Sequence, residues 1–207
     1  MSILDKLACS LNRSDEVPNQ ELARDLVAAN DLDGIREVAR NLWNTKTAVR
    51  SDCIKVMYEI GALKPELIAE YAPDFVKLIH SRENRMVWGA MYALAAVARL
   101  KADELYPYVP AIIKVMHQGS VITIDNGVKT LAGIAAHNAR YQKEIVPYLL
   151  QHLRTCRTKE VPQHAESTRI AISCEFIDPY RQILLERMQD MTPPQAQRIK
   201  KILKSLA

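Results

Sequence analysis

Apolar residues at i, i+3, i+4 and i+7 recur along this chain in two interleaved series, each stepping by 37 residues. Such a quartet forms one stripe along an α-helix. The first series reads Ile35, Val38, Ala39, Leu42; Ala72, Phe75, Val76, Ile79; Val109, Ile112, Ile113, Met116; and Val146, Leu149, Leu150, Leu153. The second reads Cys53, Val56, Met57, Ile60; Ala90, Ala93, Leu94, Val97; and Gly127, Thr130, Leu131, Ile134. A slip of one residue would rotate a stripe by about 100° and take it off its neighbour, so agreement in both series marks a structural period. A helix pair with one apolar stripe per helix cannot hide both by itself. The pairs must therefore stack and share a continuous core, which predicts an all-α solenoid of A helices (first series) and B helices (second series).

Punctuation falls where this architecture needs it. Pro73, Pro110 and Pro147 occupy one position in three successive A helices, where a missing N–H suits a first helical turn. His80, His117 and Arg154, again 37 apart, close the same helices, where the negative end of the helix dipole favours a cation. A histidine metal site is disfavoured there, because equivalent positions on stacked helices stand roughly 8–10 Å apart. No close CxxC or Cys/His metal spacing occurs, and neither a metal nor a cofactor is expected.

Beyond the regular centre the template continues with altered spacing. Leu4, Leu7, Ala8, Leu11 and then Asn19, Leu22, Ala23, Leu26 predict a first pair. Ser167, Ile170, Ala171, Cys174 predict a weaker B helix, displaced by an insertion around Thr155 to Gln163. Arg181, Leu184, Leu185, Met188 and Ile199, Ile202, Leu203, Leu206 predict a final pair after Pro193 and Pro194. The reading is about six helix pairs in one unit, residues 1–207: a capping pair over 1–30, regular repeats over 31–154 and atypical repeats over 155–207.

The segment Val49-Arg50-Ser51-Asp52-Cys53-Ile54-Lys55-Val56-Met57-Tyr58-Glu59-Ile60-Gly61 resembles a HEAT repeat, and the likeness extends over most of the chain. The resemblance implies antiparallel helix pairs stacked into a right-handed superhelix, with the B helices lining its concave side. HEAT proteins include adaptors, transport factors, assembly factors and a few enzymes, so the resemblance names no reaction.

With 48% hydrophobic and 25% charged residues, the chain reads as a soluble globular protein. It has neither an apolar run of the roughly 20 residues a membrane span needs nor the start of a signal peptide. A cytoplasmic location is expected, with no membrane partner. Of the four cysteines, Cys53 and Cys174 fall on template positions, Cys9 lies in the first helix and Cys156 in a loop; buried free thiols are the simpler account. The net charge is +4. Arg198, Lys200, Lys201 and Lys204 surround the last apolar stripe and read as a solvated end cap.

Once the stripes are assigned, the remaining B-helix positions form ladders. One, two residues after the first template residue, reads Lys55, Tyr92, Lys129, Arg169 and Lys201, with Glu21 as its rung in the first pair. A second, one turn earlier, reads Ser51, Trp88, Asp125 and Ala165. Aligned cations gain nothing for folding, and an anionic partner would relieve them. Trp88 and Tyr92 stand at i and i+4 and can offer one flat anchor. No phosphate loop, nucleophile elbow, zincin or other catalytic signature occurs. Alkylpurine DNA glycosylases are HEAT-like enzymes that work with a concave Trp, an Asp and an Arg. Here Trp88, Asp125, Arg50 and Arg85 supply the residue types, yet Tyr92 stands where the Asp is expected. The sequence thus points to a non-enzymatic scaffold, monomeric or weakly associating, that holds a protein or peptide, such as an acidic segment or helix, through Lys55, Trp88, Tyr92, Asp125, Lys129 and Arg169. The alternatives are nucleic-acid binding and an assembly or regulatory role toward another enzyme.

Overall fold

The computed structural model describes residues 2–206; Met1 and Ala207, the two ends of the predicted unit, lie outside it. Among the described residues there is no strand. The α-helices are α1 (Val17–Ala29), α2 (Leu32–Arg40), α3 (Thr47–Leu63), α4 (Ala72–Leu78), α5 (Asn84–Val97), α6 (Ala102–Leu105), α7 (Val109–Gln118), α8 (Val121–Ala135), α9 (Ala139–Thr155), α10 (Val161–Thr168), α11 (Ile177–Met188) and α12 (Pro193–Lys204).

Two layers result. α1, α3, α5, α8, α10 and α12 pack on one another in that order and form the B layer. The 3-10 turn Ile3–Lys6, α2, α4, α7, α9 and α11 form the A layer, which gives six pairs. Between the layers one contiguous apolar core runs from Leu7 to Leu206. In the regular centre every template residue is buried except Val109 and Ile113, which are half-buried. The fold is an all-α repeat solenoid.

Local chemistry sets the helix ends. Asp31, Ser120 and Asn138 accept hydrogen bonds from the backbone N–H groups of Gly34, Thr123 and Tyr141 at 2.9, 3.3 and 2.9 Å, satisfying donors a helix leaves unpaired at its start. Pro73 and Pro110 stand in the first turns of α4 and α7, after short turns at 65–71 and 102–108. Pro147 differs. The corresponding stretch is helical there, so the proline lies inside the continuous 17-residue α9, on its exposed side, where water can serve the carbonyl that loses its donor. Close approach of neighbouring helices, B to B at Gly89 and Gly133 and A to B at Gly127, explains these glycines. A Cβ at Gly133 would stand 2.7 Å from the Cβ of Ala98, one at Gly89 2.7 Å from Ile54, and one at Gly127 would run into Met116.

Three predicted details need correction. There is no insertion before the fifth B helix: 37 residues after Gly127 stands His164, and the quartet His164, Ser167, Thr168, Ala171 continues the period. His164, Thr168 and Ala171 are buried, whereas Ile170 and Cys174, assigned to the core from hydropathy, are exposed. In α11 the buried side chains are Tyr180, Ile183 and Leu184, and Leu185 faces out. In the first pair, Leu7 and Ala8 are buried but Leu11 is exposed, because the chain turns after Leu7 instead of continuing as a helix.

Candidate binding wall

Near the centre of the B layer three rings meet. Tyr58 of α3 lies with its ring centre 5.7 Å from that of Trp88 and 4.7 Å from that of Tyr92, both on α5. Tyr58 is buried, while Trp88 and Tyr92 are half-buried and keep an outward edge. Cations cover the cluster: the Arg85 guanidinium lies 4.4 Å from the centre of the Trp88 ring and the Lys129 ammonium 5.8 Å from that of Tyr92. Such placements exploit the negative ring face. Burial pushes the Tyr58 hydroxyl above its ordinary pKa. Tyr58 was not among the candidates read from the ladders, although its position one turn after Lys55 on the same helix was the available signal.

Lys55 is not the exposed rung that its ladder position implied. It is 4% exposed, and its ammonium bonds to Glu16 at 2.7 Å and Glu59 at 2.6 Å and lies 4.9 Å from the centre of the Tyr58 ring. Burial alone would lower its pKa; hydrogen bonds to Glu16, Glu59 and Tyr58 outweigh that and raise it. The same Glu16 takes Arg85 at 2.7 Å. Partial burial raises the Glu16 carboxyl, but the bonds from Lys55 and Arg85 prevail and hold it below the ordinary glutamate value of 4.5. Arg50 is likewise engaged, donating to Glu83 at 2.9 Å and to the carbonyls of Asn44 and Thr45 at 3.0 Å each.

Lys129 differs from these: it is exposed, and among the described residues no carboxylate forms an ion pair with it. Asp125, one turn before it on α8, is committed inward, with its Oδ1 2.8 Å from Nε2 of the fully buried His164. Arg169 drops out of the ladder, because the corrected register of the fifth B helix gives that rung to Glu166, which pairs with Arg198 at 2.6 Å. Arg169 instead belongs to the turn Arg169–Ala171 and reaches the Ser205 carbonyl at 3.3 Å. The structure thus gathers Trp88, Tyr92 and Lys129, places Lys55 beneath them as a support, and separates Arg169.

No helix among the described residues is long and apolar enough to cross a membrane. Neither a protein-family model nor a curated protein matches the chain. Solved structures do match. An engineered protein aligns over 100% of this chain and 98% of its own with a TM-score of 0.67 at 20% identity. A designed armadillo repeat protein aligns over 99% of this chain and 98% of its own with a TM-score of 0.64 at 18% identity. Another designed armadillo repeat protein, in complex with the peptide (KR)4, aligns over 99% and 98% with a TM-score of 0.66 at 15% identity. At such identities the likeness carries the fold alone: the chain is similar to armadillo-type designs as a helical repeat solenoid.

Proposed function

We propose that residues 1–207 act as one non-enzymatic solenoid of HEAT type that holds a protein or peptide segment against the B layer, with Trp88 and Tyr92 as anchors and Lys129 as the charge that meets an acidic side chain. One observation carries the reading: a cluster of aromatic edges open to solvent, flanked by a cation that has no carboxylate partner among the described residues. Aromatic anchors surrounded by polar groups are what binding hot spots are made of, and an uncompensated cation beside them gains most from an anionic partner. The period of 37 and the six helix pairs support the HEAT class, and the short turns at 65–71 and 102–108 lend the middle repeats a third segment of armadillo kind. A continuous core supports action as one unit. Four free cysteines suit a reducing, cytoplasmic setting.

One structural neighbour is described with the basic peptide (KR)4. On this chain the free charge beside the rings is positive, which favours a segment of the opposite sign. The carboxylates a hydrolytic reading would need are already engaged: Glu16 with Lys55 and Arg85, and Asp125 with His164.

Peptide-library selection on the whole protein tests the reading, with Trp88→Ala and Lys129→Glu as comparisons. Selected peptides should carry an acidic residue near an apolar one, and Trp88→Ala should weaken them by about 2 kcal/mol, roughly 30-fold. Equal capture by all three forms would remove the wall from consideration. Salt-sensitive binding of duplex DNA in place of peptides would transfer the surface to nucleic acid, and binding confined to one folded enzyme would identify an assembly or regulatory factor.

A further inference from the structure

We propose that His152, Cys156 and His164 form a binding site for one borderline-soft divalent metal ion of the Zn(II) type, tying α9 to α10. Their ligand atoms all lie within 4.8 Å of one another, and among the described residues they are the only such group of three His, Cys, Asp or Glu side chains. The site is distinct from the aromatic wall and stands or falls independently of the peptide-binding reading.

The geometry follows from two helix ends. His152 and Cys156 are four residues apart where α9 finishes, so both project from the same side of its last turn. α10 begins after a short turn and brings His164 against them, with His164 Nδ1 3.0 Å from His152 Nε2. Tetrahedral zinc, with Zn–N of about 2.0–2.1 Å and Zn–S of about 2.3 Å, sets ligand separations of about 3.3–3.6 Å. The two nitrogens need to part by only a few tenths of an ångström, and the thiolate to close by about 1.2 Å at most.

Asp125 makes the arrangement specific. Its Oδ1 lies 2.8 Å from His164 Nε2. An ionised carboxylate only accepts, so that nitrogen carries the proton and Nδ1 presents its lone pair toward His152 and Cys156. A carboxylate behind a ligating imidazole is the usual means of fixing ring and tautomer at metal sites. Placement in the repeat supports the same conclusion. The slot of His164 holds Cys53, Ala90 and Gly127 in the three preceding B helices, so a fully buried imidazole there departs from the small residues of the series. His152 and Cys156 are only half-buried, so solvent reaches the site and can supply a fourth ligand. On binding, the Cys156 thiol gives its proton to solvent and the thiolate forms the metal–sulfur bond, while the His152 proton shared with His164 Nδ1 passes through solvent to the other ring nitrogen of His152 and frees Nε2 to ligate; no electron is transferred.

Spectroscopic titration of the full chain, after treatment with chelator, tests this. Co(II) should bind one to one and show a thiolate-to-metal charge-transfer band with tetrahedral d–d absorption, and Zn(II) should displace it and raise Tm. Cys156→Ser should abolish the charge-transfer band. Asp125→Asn should retain the band while weakening Zn(II) binding about 10–100-fold, and Cys174→Ser should change nothing. Circular dichroism establishes folding of each variant, and His152→Gln replaces any that fails. Absence of binding, a Co(II) spectrum without the thiolate band, or unchanged affinity in Cys156→Ser would overturn the proposal and leave a chain of hydrogen-bonded imidazoles.

Discussion

Lys55 shows how far a residue's partners can depart from its position in a repeat. Its ammonium is enclosed by Glu16, Glu59 and Tyr58, so its removal leaves Glu59 without its cation and Glu16 with Arg85 alone. Because Glu16 and Glu59 retain partial access to water, the cost falls below that of a fully buried pair broken in half. Lys55→Met should lower stability by about 2 kcal/mol, read as a reduced urea midpoint at unchanged slope. The same cluster imposes a pH dependence. The folded carboxyl of Glu16 binds its proton less readily than the unfolded one, so its contribution to stability is full above the ordinary value of 4.5 and is lost as pH falls below it through the folded value. Glu16→Gln should therefore lower the urea midpoint at neutral pH and flatten its decline on acidification. The ladder placed Lys55 on the B helix but could not foresee its burial. Its partner Glu16 sits just ahead of α1, outside any periodic series, and only the approach of the first pair to the second brings it within reach. Trp88, Tyr92 and Lys129 were legible because their neighbours come from the regular repeats.

Among the elements, α8 and α10 mark the two limits of what the period reveals. Hydropathy alone misread α10, since His164, Ser167 and Thr168 occupy core slots that a search for apolar quartets passes over. The interval of 37 from Gly127 gives the correct register directly, and with it the exchange of Arg169 for Glu166 on the ladder. Polar residues kept in core slots tend to accompany functional sites, and α10 is where the metal proposal arises. α8 shows the opposite case, in which small residues are demanded by packing. Gly133→Ala gains about 1 kcal/mol of helix propensity, yet its new Cβ would meet the Cβ of Ala98 at 2.7 Å, an atom fixed to the backbone. Separation of α8 from the end of α5 should dominate and give a net loss of about 1–2 kcal/mol in chemical denaturation; a gain would show that the two helices can part freely.

For the whole molecule, stacking means that each end pair has one neighbour while central pairs have two. Amide exchange should be slowest in α3, α5 and α8 and fastest in the turn Ile3–Lys6 and in α12, with α9 and α10 slowing further when Zn(II) is added. Uniform protection along the chain would contradict nearest-neighbour stabilisation. The reach of Glu16 has a mechanical corollary. From the entrance to α1 it grips α3 through Lys55 and α5 through Arg85, bolting three coils of the spring together with one side chain. Beyond α8 each polar tie joins only adjacent coils, Asp125 to His164 and Glu166 to Arg198. On the proposed reading, a guest at the rings would lie between three coils tied through one carboxylate and a run of coils tied only to their immediate neighbours.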